Sequence, residues 1–529
     1  MKKLLFIAIT VLSISMFAQT KSKNVDIIYG DQLKSSSKET LSDIVARDNS
    51  GIITLKTSIK GLKKGLITLE RFDNKMKLVK TAEVDLTYNK KARDLERFID
   101  IDGQLFLFTS FFNKKTKMNY LFVQSINKSR LTLNSDMQKI AEIDCSDKKK
   151  NNTGFFHVKY SNDSSKVLVY YDLPYVKKTA EKFGVEVFDN KMHQLWEKDI
   201  VLPYLDELYA VKNVIIDKEG NVLFLGKLYQ DKAKETVKGE VNFKYHLLVY
   251  SDDGKKLNKH DIVLKDKYIT DMKLGISPKG NILCAGFYSN KGTWSINGSY
   301  FLAFDGETKD LIKESTEEFS LDFVTEGMRE KTEKKTKKKA ANGKDAEMYQ
   351  YDLDNFIMRE DGGGVLIAEQ YYVHVITSSY TDSQGNFRTK KTYHYYYNHI
   401  IVISISPDGD IEWTKKIIKK QHTINEPGYY SSYALAVVKD KMYFIFNDHP
   451  KNLMYEKGAK IYSYTYKKYM VPVVTVDSNG KITKEILFTA KDVETLAVPK
   501  ISEQVSSDEL ILYTSKKKYN QFLKLRFKN

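Results

Sequence analysis

Only two cysteines, Cys145 and Cys284, occur in 529 residues, too few for a disulfide framework to hold a chain of this length. There are no cysteine pairs and the nine histidines are scattered, which excludes zinc modules with their closely spaced ligands. Tryptophan (three) and proline (eight) are scarce: the Trp-Asp signature of one propeller class is missing, and no Pro-rich linker divides the chain. Past residue 19 the apolar runs are strand-sized, which excludes a membrane-spanning helix of roughly 20 residues. Long stretches of 3.6-residue periodicity are lacking, which argues against a helical fold. The phosphate-loop, Gly-x-Ser-x-Gly and His-Glu-x-x-His patterns are absent too, so motifs nominate no catalytic residue and no cofactor.

What is present begins with an export signal. Met1, Lys2 and Lys3 precede a mainly apolar stretch over residues 4–17, closed by the small Ala18 and followed by polar residues from Thr20. A basic start, a short apolar core and a small residue at its end define a signal peptide, residues 1–19, that directs the mature chain to the periplasm or outside the cell. No cysteine adjoins the cleavage point, so a lipid anchor is not expected. Formal charge is +17, or +15 once Lys2 and Lys3 leave. Such a balance favours solubility and acidic partners. The lysines are spread over almost every turn, however, and an exported chain seldom meets nucleic acid, so no nucleic-acid partner is expected.

A recurring punctuation points to the architecture. Eight times a polar turn precedes an apolar strand, as at Asn49 to Gly51, Asp102-Gly103, Asn162 to Ser165, Glu219-Gly220, Lys279-Gly280, Asp361-Gly362, Lys439 to Lys441 and Ser506 to Asp508. Between these falls a second hairpin. Phe72-Asp-Asn-Lys-Met76 and Phe188-Asp-Asn-Lys-Met192 are literal copies 116 residues apart. Looser versions end at Gly254, Gly306, Gly409 and Gly480, with a weak one over residues 134–136. Asp-Gly and Asn-Gly suit tight turns because they tolerate positive φ. Seven second hairpins stand against eight first ones: the chain ends in a third strand, residues 522–527, and Val25–Tyr29 near its start lacks a hairpin partner. Joined, the two complete a unit. The expectation is an all-β chain, a single β-propeller of about eight four-stranded blades over residues 20–529, its ring closed by the N-terminal strand so that no sheet edge is left open. A smaller propeller followed by a sandwich from about residue 350 is the alternative.

Two insertions interrupt the repeat. Region 326–347 carries Arg329, Lys331, Lys334, Lys335, Lys337, Lys338, Lys339 and Lys344 against Glu330, Glu333 and Asp345, and residues 329–345 read as a solvated loop. Region 371–399 reads as an elongated hairpin turning at residues 383–386. Strand alternation puts Tyr393, Tyr395, Tyr397 and His399 on one face and His394, Tyr396 and Asn398 on the other. Aromatic side chains make good contact residues. The candidate binding residues are therefore Tyr393, Tyr395, Tyr397 and His399, with Lys335 and Lys338 offered to an anionic surface. A metal site is not expected, because His394 and His399 face opposite ways and His374 lies on the opposing strand.

Ser406-Pro-Asp-Gly-Asp-Ile-Glu-Trp413 resembles the Asp-box of sialidase-like propellers, except that Asp408 and Gly409 are adjacent where the family pattern separates them. The match implies a hairpin and no catalytic residue. Through its signal sequence and irregular Asp-Gly hairpins, nearly the whole mature chain resembles exported propeller-like proteins of the bacterial cell envelope. The resemblance implies fold and compartment and carries no functional residue. The function expected is that of a non-catalytic binding or scaffold protein engaging an envelope protein or glycan. Its alternative is a glycan- or peptide-active enzyme whose paired carboxylates come from different blades into an axial channel and so leave no local motif.

Overall fold

The computed structural model describes residues 22–528 except 37, 59–64, 135, 147–151, 175–177, 238–239, 293–294 and 345. The signal peptide assigned to residues 1–19 lies outside the described residues. Among those described, eight antiparallel sheets of four to six strands follow one another along the chain. The first seven open at Glu39–Asp48, Asp94–Ile101, Phe155–Tyr160, Tyr209–Ile216, Tyr268–Ile276, Tyr351–Met358 and Ala434–Val438; the eighth opens with the short pieces Leu496–Ala497 and Glu503–Gln504. Its outer strand is Val25–Tyr29, paired with Tyr519–Phe527 from Val25 opposite Phe527 to Tyr29 opposite Leu523. The unpaired strand counted at each end of the sequence thus finds the other.

Middle strands are apolar along their length, as in Val222–Tyr229 and Ile282–Ser289, because neighbouring sheets cover both of their faces. Outer strands such as Leu311–Glu318 are mostly exposed. Alternation divides each middle strand between two neighbours. Val167 and Val169 of the third sheet pack with Phe108 and Leu121 of the second, whereas Leu168 packs with Val222 and Phe224 of the fourth. Equivalent clusters join Leu247 to Cys284, Phe301 to Ile401, Val402 to Phe444 and Val473 to Leu523. The cluster of Phe301 and Ile401 spans residue 350. A final cluster sets Ile511 and Phe522 of the eighth sheet against Ile52 and Phe72 of the first. Cys145 and Cys284 are both buried.

Identical sequence makes identical turns. In the two literal copies Met76 and Met192 take φ of 58° and 68°. Asp73 Oδ1 accepts from the amides of Lys75 and Lys77 at 2.8 and 2.9 Å, and Asp189 Oδ1 from those of Lys191 and His193 at the same distances.

The solvated loop expected over residues 329–345 is corrected: helix α1 (Leu321–Thr325) is followed by α2 (Glu330–Ala341). The lysine count hid good helix signals. Glu330 and Glu333 stand in the first turn of α2 and Lys338 and Lys339 in the last, each sign complementing the helix dipole. Glu330 pairs with Lys334 at 2.6 Å and Glu333 with Lys337 at 3.0 Å, one turn on. The long hairpin forms as expected, from Gly364–Thr381 and Phe387–Ile405, and is exposed over most of residues 373–391. No helix of the described residues is long and apolar enough to cross a membrane.

Candidate functional site at the inner strands

First strands of neighbouring sheets touch, so their side chains face a shared inner space. At one end of it the first strands of the third to sixth sheets, with the turns that follow three of them, enclose a depression of about 570 Å³ walled by Val214, Ile216, Leu274, Phe356 and Met358, with Lys159 and Asp217 among its polar groups. Its size falls in the range of small-ligand pockets.

The other end is charged. Asp43, Glu96, Asp352, Asp354 and Glu503 of four different strand segments are exposed by surface area, yet burial raises every one of their carboxyls. A carboxyl open to water on one side and walled by protein on the others loses part of its hydration, which is why burial raises it. Arg97 and Lys273 oppose the rise: Arg97 lowers Asp43, and Lys273 lowers Asp352 and Asp354.

A further acid, Asp271, adjoins two of these. Asp271 of the fifth sheet accepts from the amides of Met272 (2.9 Å) and Leu353 (3.3 Å). Leu353 belongs to the sixth sheet and is buried, while Asp352 and Asp354 on either side of it are exposed. The Asp271 carboxylate is thus tied to the backbone of the segment that carries Asp352 and Asp354, and it bears on Asp352. Burial pushes Asp354 up to about 6, with Glu369 and Asp352 adding to the rise and the Tyr433 hydroxyl, which donates to its Oδ2 at 2.8 Å, opposing it. Asp352 is raised by burial and then by Asp271 and Glu369. Asp271 is raised by burial against its two amide bonds, Lys273 and Lys227. Sequence reasoning missed all three acids. The only local signal was the pair Asp352 and Asp354 with Leu353 between them; Asp271 lies more than 80 positions upstream and is brought in by the packing of neighbouring sheets.

The residues nominated from sequence lie on the ribbon and on α2. Tyr393 is 38% exposed and lies over Tyr395, ring centres 6.4 Å apart. Tyr397 is corrected as a surface contact: it is 7% exposed, packs on Tyr371 and donates to the carbonyl of Pro427 at 2.9 Å. His399 is half-buried at the ribbon root and lines a cavity there; burial, helped by Lys416, Lys419 and Lys420, drives its pKa down to about 3. Lys335 and Lys338 are exposed on α2. On the opposite ribbon face His394 Nδ1 lies 2.9 Å from Nε2 of His422, and His422 stacks on Tyr396. His422 comes from Gln421–Ile424, a strand that follows the sixth sheet and pairs back onto the ribbon. Under the ribbon root Lys419 and Glu369 form a buried ion pair at 2.5 Å.

No protein-family model matches this chain, and neither does any curated protein. Among solved structures it is similar to a mutant of the apocarotenoid oxygenase of Synechocystis, at 8% identity over 71% of this chain and 73% of that one, with a TM-score of 0.34. It is similar to an unknown function protein from Dyadobacter fermentans at 9% identity over 96% and 100% of the chains, TM-score 0.32. The α-L-arabinanase of Penicillium chrysogenum, complexed with arabinobiose, gives 11% over 75% and 98%, TM-score 0.31. At such scores the likenesses carry neither a site nor a substrate to this chain.

Proposed function

We propose that the eight sheets are blades of one closed propeller and that the acidic end of its axis is the active site of a glycan hydrolase. The ring is supported by the cluster of the eighth sheet on the first and by the pairing of Val25–Tyr29 with the last strand. The observation that carries the function is Asp271 held on the amide of Leu353, the residue that separates Asp352 and Asp354 along their strand. Acetal cleavage by two carboxyls needs one protonated and one ionised at the same pH. Asp354, raised to about 6, is the acid that protonates the departing oxygen. Asp271, whose carboxylate accepts two amide hydrogens, is the ionised partner at the sugar's reacting carbon or at its water, and Lys273 offsets the local negative charge.

The test is hydrolysis of a panel of polysaccharides by the mature chain, with Asp354→Asn and Asp271→Asn beside it. Loss of about 10²–10⁴ in kcat is expected for each. Since the acid must hold its proton, activity should fall as pH rises through about 6 and fall again in acid as the partner protonates. Turnover of peptides alone, or of no substrate in the panel, overturns the glycan reading.

Binding of a partner through the ribbon is the second reading. Val373, Val375, Ile376, Tyr380 and Phe387 are all exposed, Phe387 by 74%, and exposed apolar patches mark interaction surfaces. Export with cleavage after residue 19 belongs to the same proposal; N-terminal sequencing of protein from the envelope fraction should begin at Thr20.

A further inference from the structure

Away from the acidic axis, the N-terminal end of α2 roofs a cavity of about 190 Å³ at the root of the ribbon. Its chemistry is almost wholly that of hydrogen-bond donors with positive charge. Arg329, the residue before the first turn of α2, makes no side-chain cap, and Lys420 enters from the segment after the sixth sheet. Among the described residues neither cation has a carboxylate partner. Lys419, which also reaches the lining, is already neutralised by Glu369. Lys420 is half-buried and Arg329 exposed; burial first, then Arg329 and Lys460, hold the Lys420 pKa below the ordinary lysine value.

Neutral groups complete the wall. His399 Nδ1 accepts from the Lys419 amide at 3.3 Å, which leaves the proton of the neutral ring on Nε2. That nitrogen faces Gly327, where a Cβ would stand only 2.7 Å away and where φ is +87°; any larger residue there would press on the ring and strain the backbone. Tyr372 and Tyr396 line the cavity with their rings stacked at 4.6 Å. One acceptor breaks the pattern: Asn398 Oδ1 is buried and receives no hydrogen bond.

We propose that this cavity binds a phosphate group, either free inorganic phosphate or the terminal phosphate of a small organic ester. A dianion relieves the repulsion between Arg329 and Lys420, and the planar guanidinium suits two phosphate oxygens at once. At roughly 30 Å³ per water, the cavity holds about six waters, room for one phosphate and part of what it is attached to. The inference stands apart from the hydrolase reading, because it uses none of Asp271, Asp352 and Asp354.

Calorimetric titration of the mature chain with inorganic phosphate and glycerol 3-phosphate at constant ionic strength tests it. Saturable one-to-one binding of at least one of the two is expected, and the tighter of them tells the free ion from the ester. R329A/K420A should weaken phosphate binding tenfold or more, and R329Q/K420Q, which keeps side-chain bulk, should do the same should the alanine variant not fold. K335A/K338A, which removes exposed charge from the same helix, should leave affinity within twofold. Absence of saturable binding, retained affinity in R329Q/K420Q, or an equal loss in K335A/K338A overturns the assignment.

Discussion

At the scale of single residues, the least replaceable groups are those whose conformation and surroundings are both constrained. Gly480 takes φ of +73° in the turn of the seventh sheet, and a Cβ there would lie 2.8 Å from the indole of Trp413. Trp413 in turn donates its indole N–H to the carbonyl of Ser478 at 2.9 Å. Trp196 repeats the contact over Gly254 of the fourth sheet, so a tryptophan on one sheet's outer strand clasps the glycine turn of the next. Gly480→Ala should lose about 1–2 kcal/mol from the left-handed backbone alone, and more from the displaced indole; urea unfolding followed by tryptophan fluorescence measures both. These glycines were legible as turns in the Asp-Asp-Gly and Asp-Ser-Asn-Gly sequences. Their tryptophan partners, more than 55 positions away, were not. The acids differ again. Nothing in the strand around Asp271 separates it from the many solvated aspartates of the chain, because its raised pKa comes from a neighbouring sheet.

Elements show where local reading holds and where it fails. The ribbon was legible because alternation and a polar turn are local, and its turn is closed by Asp382 Oδ1 accepting from Gln384 and Asn386. The burial of Tyr397 and His399 was not legible, since it depends on Pro427, Lys500 and α1 packing over the ribbon root. Helix α2 was misread because its composition is that of a solvated segment, while its ion pairs one turn apart favour a helix. Only residues beyond the paired strand Gln421–Ile424 project freely. Replacing residues 377–391 with an Asn-Gly turn between Ile376 and Thr392, which already face each other, should therefore shift stability by less than about 0.5 kcal/mol. Calorimetric melting checks this, and loss of partner capture by the same variant would favour the second functional reading.

For the whole molecule the decisive contact is the one between its two ends. Val25 is buried and Ile27 half-buried in the cluster that joins the seventh and eighth sheets. Removing residues 22–29 should cost about 3 kcal/mol in lost apolar burial and leave Tyr519–Phe527 as an open edge that aggregates. A lower melting temperature, restored by adding a peptide of residues 20–34, is the expected outcome; unchanged melting would mean that the eighth sheet stands without its outer strand. Composition and turn spacing by themselves determined the all-β class, the repeated four-strand meander and the complementary strands at the two ends, because each follows from period-2 alternation and from residues that tolerate positive φ within a few positions of one another. Tertiary structure alone decided that Asp271 meets the amide of Leu353 in the next sheet and that Arg329 and Lys420 line one cavity, because these are distances between sheets, set by packing across dozens of residues that no local pattern records.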